Sequence, residues 1–76
     1  MKPMIEYLVK ALVDEPEHVR IEELPGDEAT TYEVRVAPGD LGKVIGKQGR
    51  TARAIRQLLQ AASSKTHKRA VLEILE

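Results

Sequence analysis

The chain has 76 residues, which is enough for one domain (residues 1–76) and leaves no room for a second. It contains no cysteine and only two histidines, so disulfides are excluded and a structural zinc site is not expected. Its 42% hydrophobic residues suffice for one small core but not for a deep substrate pocket, and no long apolar run suggests a signal peptide or a membrane span. We therefore expect a cytoplasmic protein without a cofactor that is not an enzyme.

The net charge of zero conceals a strong asymmetry along the chain. Residues 1–40 hold ten acidic and four basic residues. Residues 41–72 hold eight basic residues and no acidic one, namely Lys43, Lys47, Arg50, Arg53, Arg56, Lys65, Lys68 and Arg69. Such a segregation favours a polyanionic partner in spite of the zero total. The alternative interpretation is a basic face that is merely solvated.

The first half of the chain predicts a helix followed by two strands. Four apolar residues in helical spacing predict a helix that ends near Asp14, before Pro16, and they are Ile5, Leu8, Val9 and Leu12. Alternation of apolar and polar residues then predicts strands around residues 19–22 and 32–36, joined by a turn at Pro25-Gly26-Asp27. Pro38-Gly39 ends this hairpin, and Asp40 is predicted to cap the next helix.

The second half predicts two helices and a strand. A short helix from Leu41 to Ile45 precedes a loop, and a longer helix runs from Arg50 to about Ser64. At 100° per residue the apolar stripe of the longer helix is Ala52, Ile55, Leu58, Leu59 and Ala62, and its polar stripe is Arg50, Arg53, Arg56, Gln57 and Gln60. The last strand, Arg69 to Leu75, presents one face with Ala70, Leu72 and Ile74 and the other with Val71, Glu73 and Leu75.

The element order is therefore α-β-β-α-α-β. A hairpin makes the first two strands antiparallel, and a two-helix crossover is long enough to place the third strand parallel to its neighbour. This predicts an α+β fold, a two-layer sandwich in which a three-stranded mixed sheet carries all helices on one face. Val71 and Leu75 then lie on the open face of the sheet, where we expect a protein contact.

The loop Gly46-Lys47-Gln48-Gly49 is the main candidate for a functional site. Two glycines permit positive φ angles and let a ligand approach the main chain closely. Arg50 begins a helix whose free N–H groups favour an anion, and Lys47, Arg50 and Arg53 add positive charge. A phosphodiester backbone fits this combination. The alternative is that Gly46 only ends a helix and Gly49 only makes a tight turn.

Nucleotide triphosphate chemistry is not expected. The Walker A motif requires a glycine and a Ser or Thr where this chain has Leu41 and Gln48. His18 and His67 have no neighbouring acid or nucleophile in the sequence, so neither is expected to be catalytic.

The stretch from Gly42 to Ile55 resembles the signature of the KH domain, an Ile-Gly-x-x-Gly followed by a helix with Ile six residues on. The element order matches the type II, or prokaryotic, KH fold over essentially the whole chain. The length, the apolar opening helix and the closing Val71-Leu72-Glu73-Ile74-Leu75 are similar to the small bacterial KhpA family.

This resemblance implies a binding mode. KH domains clamp about four nucleotides of single-stranded RNA, with the GxxG loop on the backbone and the bases over an apolar groove. By position, residues 46–49 form the clamp, and Val44 and Ile45 line the groove. Lys43, Arg50 and Arg53 are expected to contact the backbone because of their charge.

The resemblance also implies partners and a role. Proteins of this family form homodimers and pair with a second KH protein, KhpB (also called Jag). The implied role is RNA chaperoning or post-transcriptional regulation linked to cell elongation and division.

Two other functions compete with RNA binding. One is a protein-interaction or dimerisation module whose basic helix is only solvated. The other is a helix-turn-helix DNA binder that uses the helix from Arg50 to Ser64, although the preceding helix is too short and a three-stranded sheet is not part of that motif.

Overall fold

The computed structural model describes residues 1–64 and 69–75. The helices are α1 (Lys2–Leu12), α2 (Leu41–Ile45) and α3 (Arg50–Ser63), and the strands are β1 (Arg20–Pro25), β2 (Ala29–Arg35) and β3 (Arg69–Leu75). Single 3-10 turns lie at Pro16–His18, Pro38–Asp40 and Lys47–Gly49. The predicted order α-β-β-α-α-β is confirmed. Lys65, Lys68 and His67 lie outside the described residues.

Helix α1 ends close to its predicted limit. Pro3 lies in the first turn, where its missing N–H costs nothing. The helix ends at Leu12, two residues earlier than predicted, because Val13 is extended, with φ −99° and ψ 159°. Pro16 then opens a separate 3-10 turn instead of only limiting the helix.

The sheet has the predicted mixed topology. Strand β2 lies in the centre, antiparallel to β1 and parallel to β3. Both hairpin strands extend further towards the turn than predicted, since Leu24 pairs with Thr31 and Pro25 with Thr30. The prediction stopped where Glu22-Glu23 breaks the alternation of the side chains, whereas backbone pairing does not depend on that alternation.

The core lies between the sheet and the helices. Ile5 and Val9 of α1, Val44 of α2, and Ile55 and Leu59 of α3 pack against buried residues of the sheet, which are Ile21, Tyr32, Val34, Ala70 and Leu72. Tyr32 belongs to this core. Its burial raises the pKa of the phenol above the usual value, and the negative charge of Glu23, opposite Tyr32 on β1, raises it further.

The apolar stripe of α3 is narrower than predicted. Ala52, Ile55 and Leu59 are buried, but the side chain of Leu58 is 51% exposed and Ala62 is also exposed. Ser63 is buried instead. The buried positions follow one line along the helix, and Leu58 lies on the side of that line where the sheet provides no cover.

Asp40 is the N-cap residue of α2, as predicted, but its side chain makes no capping hydrogen bond. Its buried carboxylate instead accepts a hydrogen bond from the backbone N–H of Glu15, with 3.0 Å from N to Oδ2. This bond ties the segment between α1 and β1 to the start of α2.

Candidate functional site

Gly46 makes the sharp turn between α2 and α3. Its φ of 79° and ψ of 170° lie outside the range that side chains normally permit. Its N–H donates to the carbonyl of Gly42 at 2.8 Å and so closes α2. A Cβ atom at this position would collide with Thr51, lying 2.7 Å from its Cβ and 2.8 Å from its backbone nitrogen. Gly46 is therefore both a helix end and the only residue type that lets α3 approach so closely.

The rest of the loop is a single 3-10 turn with an open outer side. The N–H of Gly49 donates to the carbonyl of Gly46 at 3.1 Å. Gln48 has a left-handed conformation, with φ 58° and ψ 27°, and Gly49 follows with φ 75°. An added Cβ on Gly49 would meet no atom within 4 Å, so the main chain of Gly49 faces open space. Lys47 and Gln48 are exposed at the tip.

The electrostatics of this region favour an anion. Gly49 is the N-cap of α3, and no side chain caps the free N–H groups of the first turn. Arg50 and Arg53 are exposed beside this positive end of the helix dipole. No acidic residue occurs between residues 41 and 64. The loop and the start of α3 thus form a positively charged surface at an uncapped helix N-terminus.

The structure places the remaining predicted site residues in different surroundings. Ile45 is 37% exposed next to the loop. Lys43 is exposed and lies 3.4 Å from a carboxylate oxygen of Asp14. Val44, predicted to line a groove, has no exposed surface. It packs in the core, and its part in lining a groove for the bases stays a prediction.

Two residues that sequence reasoning assigned only to a polar stripe connect α3 to the sheet. Gln60 donates from Nε2 to the carbonyl of Ala70 at 2.9 Å, and Arg56 donates from Nη2 to the carbonyl of Leu72 at 3.5 Å. Strand β3 is an edge strand, so these carbonyls belong to its outer edge. The sequence shows that Arg56 and Gln60 are one helical turn apart and on the same side of the helix as Arg53. It does not show that β3 is the strand whose carbonyls they contact. The polar surface that starts at the loop therefore continues along α3 to the sheet edge.

Other features of the described residues lie away from this surface. Glu15, Glu17 and His18 place donor atoms within 4.8 Å of one another on an exposed turn, a grouping that exposed acidic segments often show without a metal. In residues 1–64 and 69–75 no helix is long and apolar enough to cross a membrane.

Comparison with known proteins identifies the family. The sequence model described as "KhpA/KhpB, KH domain" matches residues 2–74. The chain is 49% identical over 75 residues to a Clostridium perfringens protein named "RNA-binding protein KhpA", which covers 99% of this chain and 100% of the relative. Proteins of the same name from Aquifex aeolicus and Chlamydia pneumoniae are 51% and 50% identical over 76 residues, covering 100% of this chain and 96% and 97% of the relatives.

No solved structure gave a significant match. The family model nevertheless spans nearly the whole chain, and the α-β-β-α-α-β order is consistent with a KH-type fold. This chain belongs to the KhpA/KhpB family of KH domains.

Proposed function

We propose that the chain binds single-stranded RNA through the loop Gly46-Lys47-Gln48-Gly49. The observation that carries this proposal is the open space beside Gly49 at the positive end of α3, in a segment (residues 41–64) without acidic residues. The names of the relatives, "RNA-binding protein KhpA", support the same ligand. KH domains are binding modules, and the chain is not an enzyme.

Each group in the loop has a distinct part in this binding. The N–H groups of the first turn of α3 that no side chain caps donate to a phosphate, and the absence of a Cβ on Gly49 lets the phosphate come within hydrogen-bond distance. Lys47, Arg50 and Arg53 neutralise neighbouring phosphates, and Gln48 offers a neutral donor at the tip.

The residues around the loop complete the interface. Ile45 supplies exposed apolar surface for a base. Lys43 reaches the RNA only when it leaves Asp14, and an exposed ion pair of this kind is held by less than about 1 kcal/mol. Val44 contributes indirectly, because its burial holds α2 in place under the loop.

We propose that the chain acts in the cytoplasm as an RNA chaperone or post-transcriptional regulator linked to cell elongation. It would act as a homodimer or together with a KhpB-like KH protein. The joint naming of KhpA and KhpB in one family supports this pairing.

The test of RNA binding is the double variant Lys47→Asp, Gln48→Asp. It adds two carboxylates where the phosphates lie, on an exposed turn that the core does not need. We expect the affinity for a single-stranded RNA of random sequence to fall by more than about a hundredfold, since both attraction and main-chain access are lost. Circular dichroism and the melting temperature should change little.

The matched control is Lys10→Asp, Ala11→Asp, which makes the same change in net charge at two adjacent exposed positions of α1. This control should retain most of the RNA affinity. If the loop variant is folded and binds RNA as tightly as the wild type, the loop is not the site. If the wild type does not bind RNA at all, the chain is a protein-interaction module.

A further inference from the structure

The polar side of α3 leads from the GxxG loop to the edge of β3. Arg53, Arg56 and Gln60 lie within about 60° of one another around the helix. At 1.5 Å per residue, Gln60 lies about 15 Å beyond Arg50 along the helix axis. Four nucleotides advance about 14 Å even at the short spacing of stacked bases. An RNA strand that is held at the loop and follows these cations therefore brings its last bases to the level of Gln60.

The edge of β3 at this level carries main-chain acceptors. The carbonyl of Ala70 points away from β2, since it accepts a hydrogen bond from Nε2 of Gln60 at 2.9 Å. The carbonyl of Leu72 points to the same side and accepts from Nη2 of Arg56 at 3.5 Å. A free carbonyl at such an edge can accept a hydrogen bond from a base, for example from the amino group of adenine or cytosine. The edge of β3 could therefore distinguish between bases if its carbonyls were free.

Gln60 occupies the acceptor that a base would need. The hydrogen bond to Ala70 is partly buried and Ala70 itself is only 4% exposed, so the glutamine side chain covers the approach to this carbonyl. A base can reach the carbonyl only if it displaces Gln60. That displacement exchanges one neutral hydrogen bond for another, so it gains little free energy. The amino group of a base therefore contributes almost nothing to binding at this place.

We propose that Gln60 is a specificity-determining residue, which prevents the recognition of a base at the edge of β3. This inference rests on the proposed binding of single-stranded RNA by the loop and names its ligand class, RNA held through its phosphates without preference for the base beside Ala70. Arg56 has a similar effect on the carbonyl of Leu72, but its bond is longer and its charge also attracts phosphates. Gln60 is neutral, so its substitution changes the access to the carbonyl without changing the charge.

The variant Gln60→Ala tests this role with two ligands, a decamer of adenosine and a decamer of purine riboside, whose base is adenine without its amino group. The wild type should bind both decamers equally. In Gln60→Ala the carbonyl of Ala70 is free, so the adenosine decamer should bind about three- to tenfold more tightly than the purine riboside decamer, as one additional neutral hydrogen bond provides. The side chain of Gln60 is exposed and its removal leaves no cavity, so we expect the variant to fold.

The carbonyl-carbon NMR signal of Ala70 locates the contact. In Gln60→Ala this signal should respond differently to the two decamers, and in the wild type it should respond to both in the same way. The matched control is Gln57→Ala, which removes another exposed glutamine amide of α3. Within residues 1–64 and 69–75, Gln57 makes no hydrogen bond to β3, so this control should bind both decamers like the wild type.

The outcomes separate this inference from the proposed function. The inference is overturned if the wild type already prefers the adenosine decamer, or if Gln60→Ala gains no preference for it. An equal loss of affinity for both decamers in Gln60→Ala also overturns it, because Gln60 would then bind the RNA itself. In each of these cases the proposed function stands if Lys47→Asp, Gln48→Asp abolishes the binding of both decamers. A wild type that binds neither decamer overturns the proposed function together with this inference.

Discussion

Position 46 requires glycine for two independent reasons, its backbone conformation and its packing. The φ of 79° favours glycine, and the space where a Cβ would lie is already occupied by Thr51 at the start of α3. Gly42, one turn earlier, lies in α2 with no atom within 4 Å of the Cβ position and no positive φ. The two glycines of this short segment therefore differ in what they contribute.

We expect Gly46→Ala to destabilise the chain by about 2 kcal/mol or more, because the new methyl group combines backbone strain with a collision against main chain. Gly42→Ala should instead be neutral or stabilise it by up to about 1 kcal/mol, since alanine favours helix and meets open space. Urea denaturation of both variants measures the difference in the free energy of unfolding. Equal stabilities would show that the turn at Gly46 tolerates a side chain.

At the scale of elements, α3 serves two purposes with two of its sides. Ile55 and Leu59 pack on the sheet, while Arg53, Arg56 and Gln60 follow the side that leads from the loop to the edge of β3. The hydrogen bonds from Gln60 and Arg56 cover two carbonyls of an edge strand, which would otherwise be open for pairing with another chain. The helix thus positions the loop and protects the sheet edge.

The adjacent residues Leu58 and Leu59 test which side of α3 packs on the core. Leu59 has no exposed surface, whereas Leu58 is 51% exposed. We expect Leu59→Ala to cost about 2–5 kcal/mol through lost burial and a cavity, and Leu58→Ala to cost under about 1 kcal/mol. Denaturation at low protein concentration compares them without a contribution from association. Similar costs for both variants would contradict the observed rotation of the helix.

At the scale of the whole molecule, a zero net charge is compatible with a polyanionic ligand because the charges are segregated. Acidic residues dominate residues 1–40, while α2, the loop and α3 contain no acidic residue. The open face of the sheet adds rows of both signs on the opposite side of the molecule. The surface proposed for RNA therefore lies on the side of the helices, away from these rows.

Binding of RNA phosphates by the loop region leads to a prediction about the effect of salt. If the loop region neutralises about 3–4 phosphates, a plot of log K against log salt concentration should have a slope of about −2 to −3 for single-stranded RNA. Titrations at several salt concentrations measure this slope, and duplex DNA of the same length should bind more weakly. A slope near zero, or equal affinity for the duplex, would contradict binding of a single strand by the loop.

Much of the fold and part of the site were predictable from local patterns. The spacing of apolar residues predicted the helices, the alternation around Val34 predicted a strand, and the two glycines with Arg50 predicted the loop and the helix after it. Leu58 was assigned to the apolar stripe because its position falls within the apolar side of the helix. Only the packing of α3 on the sheet decides that this part of the apolar side stays exposed. Val44 was predicted to line a groove, and its complete burial could not be foreseen because it depends on α2 lying against the core.

The remaining features depend on residues that are distant along the chain. Asp40 accepts its bond from Glu15, 25 residues away, and Gln60 donates to Ala70 across the space between α3 and β3. The acidic row of Glu22, Glu33 and Glu73 exists only because the three strands meet in one register. A shift of one residue would turn these side chains to the other face. Local propensities act over a few residues and therefore specify helices and turns. Contacts between residues that are distant along the chain are selected by the packing of one common core.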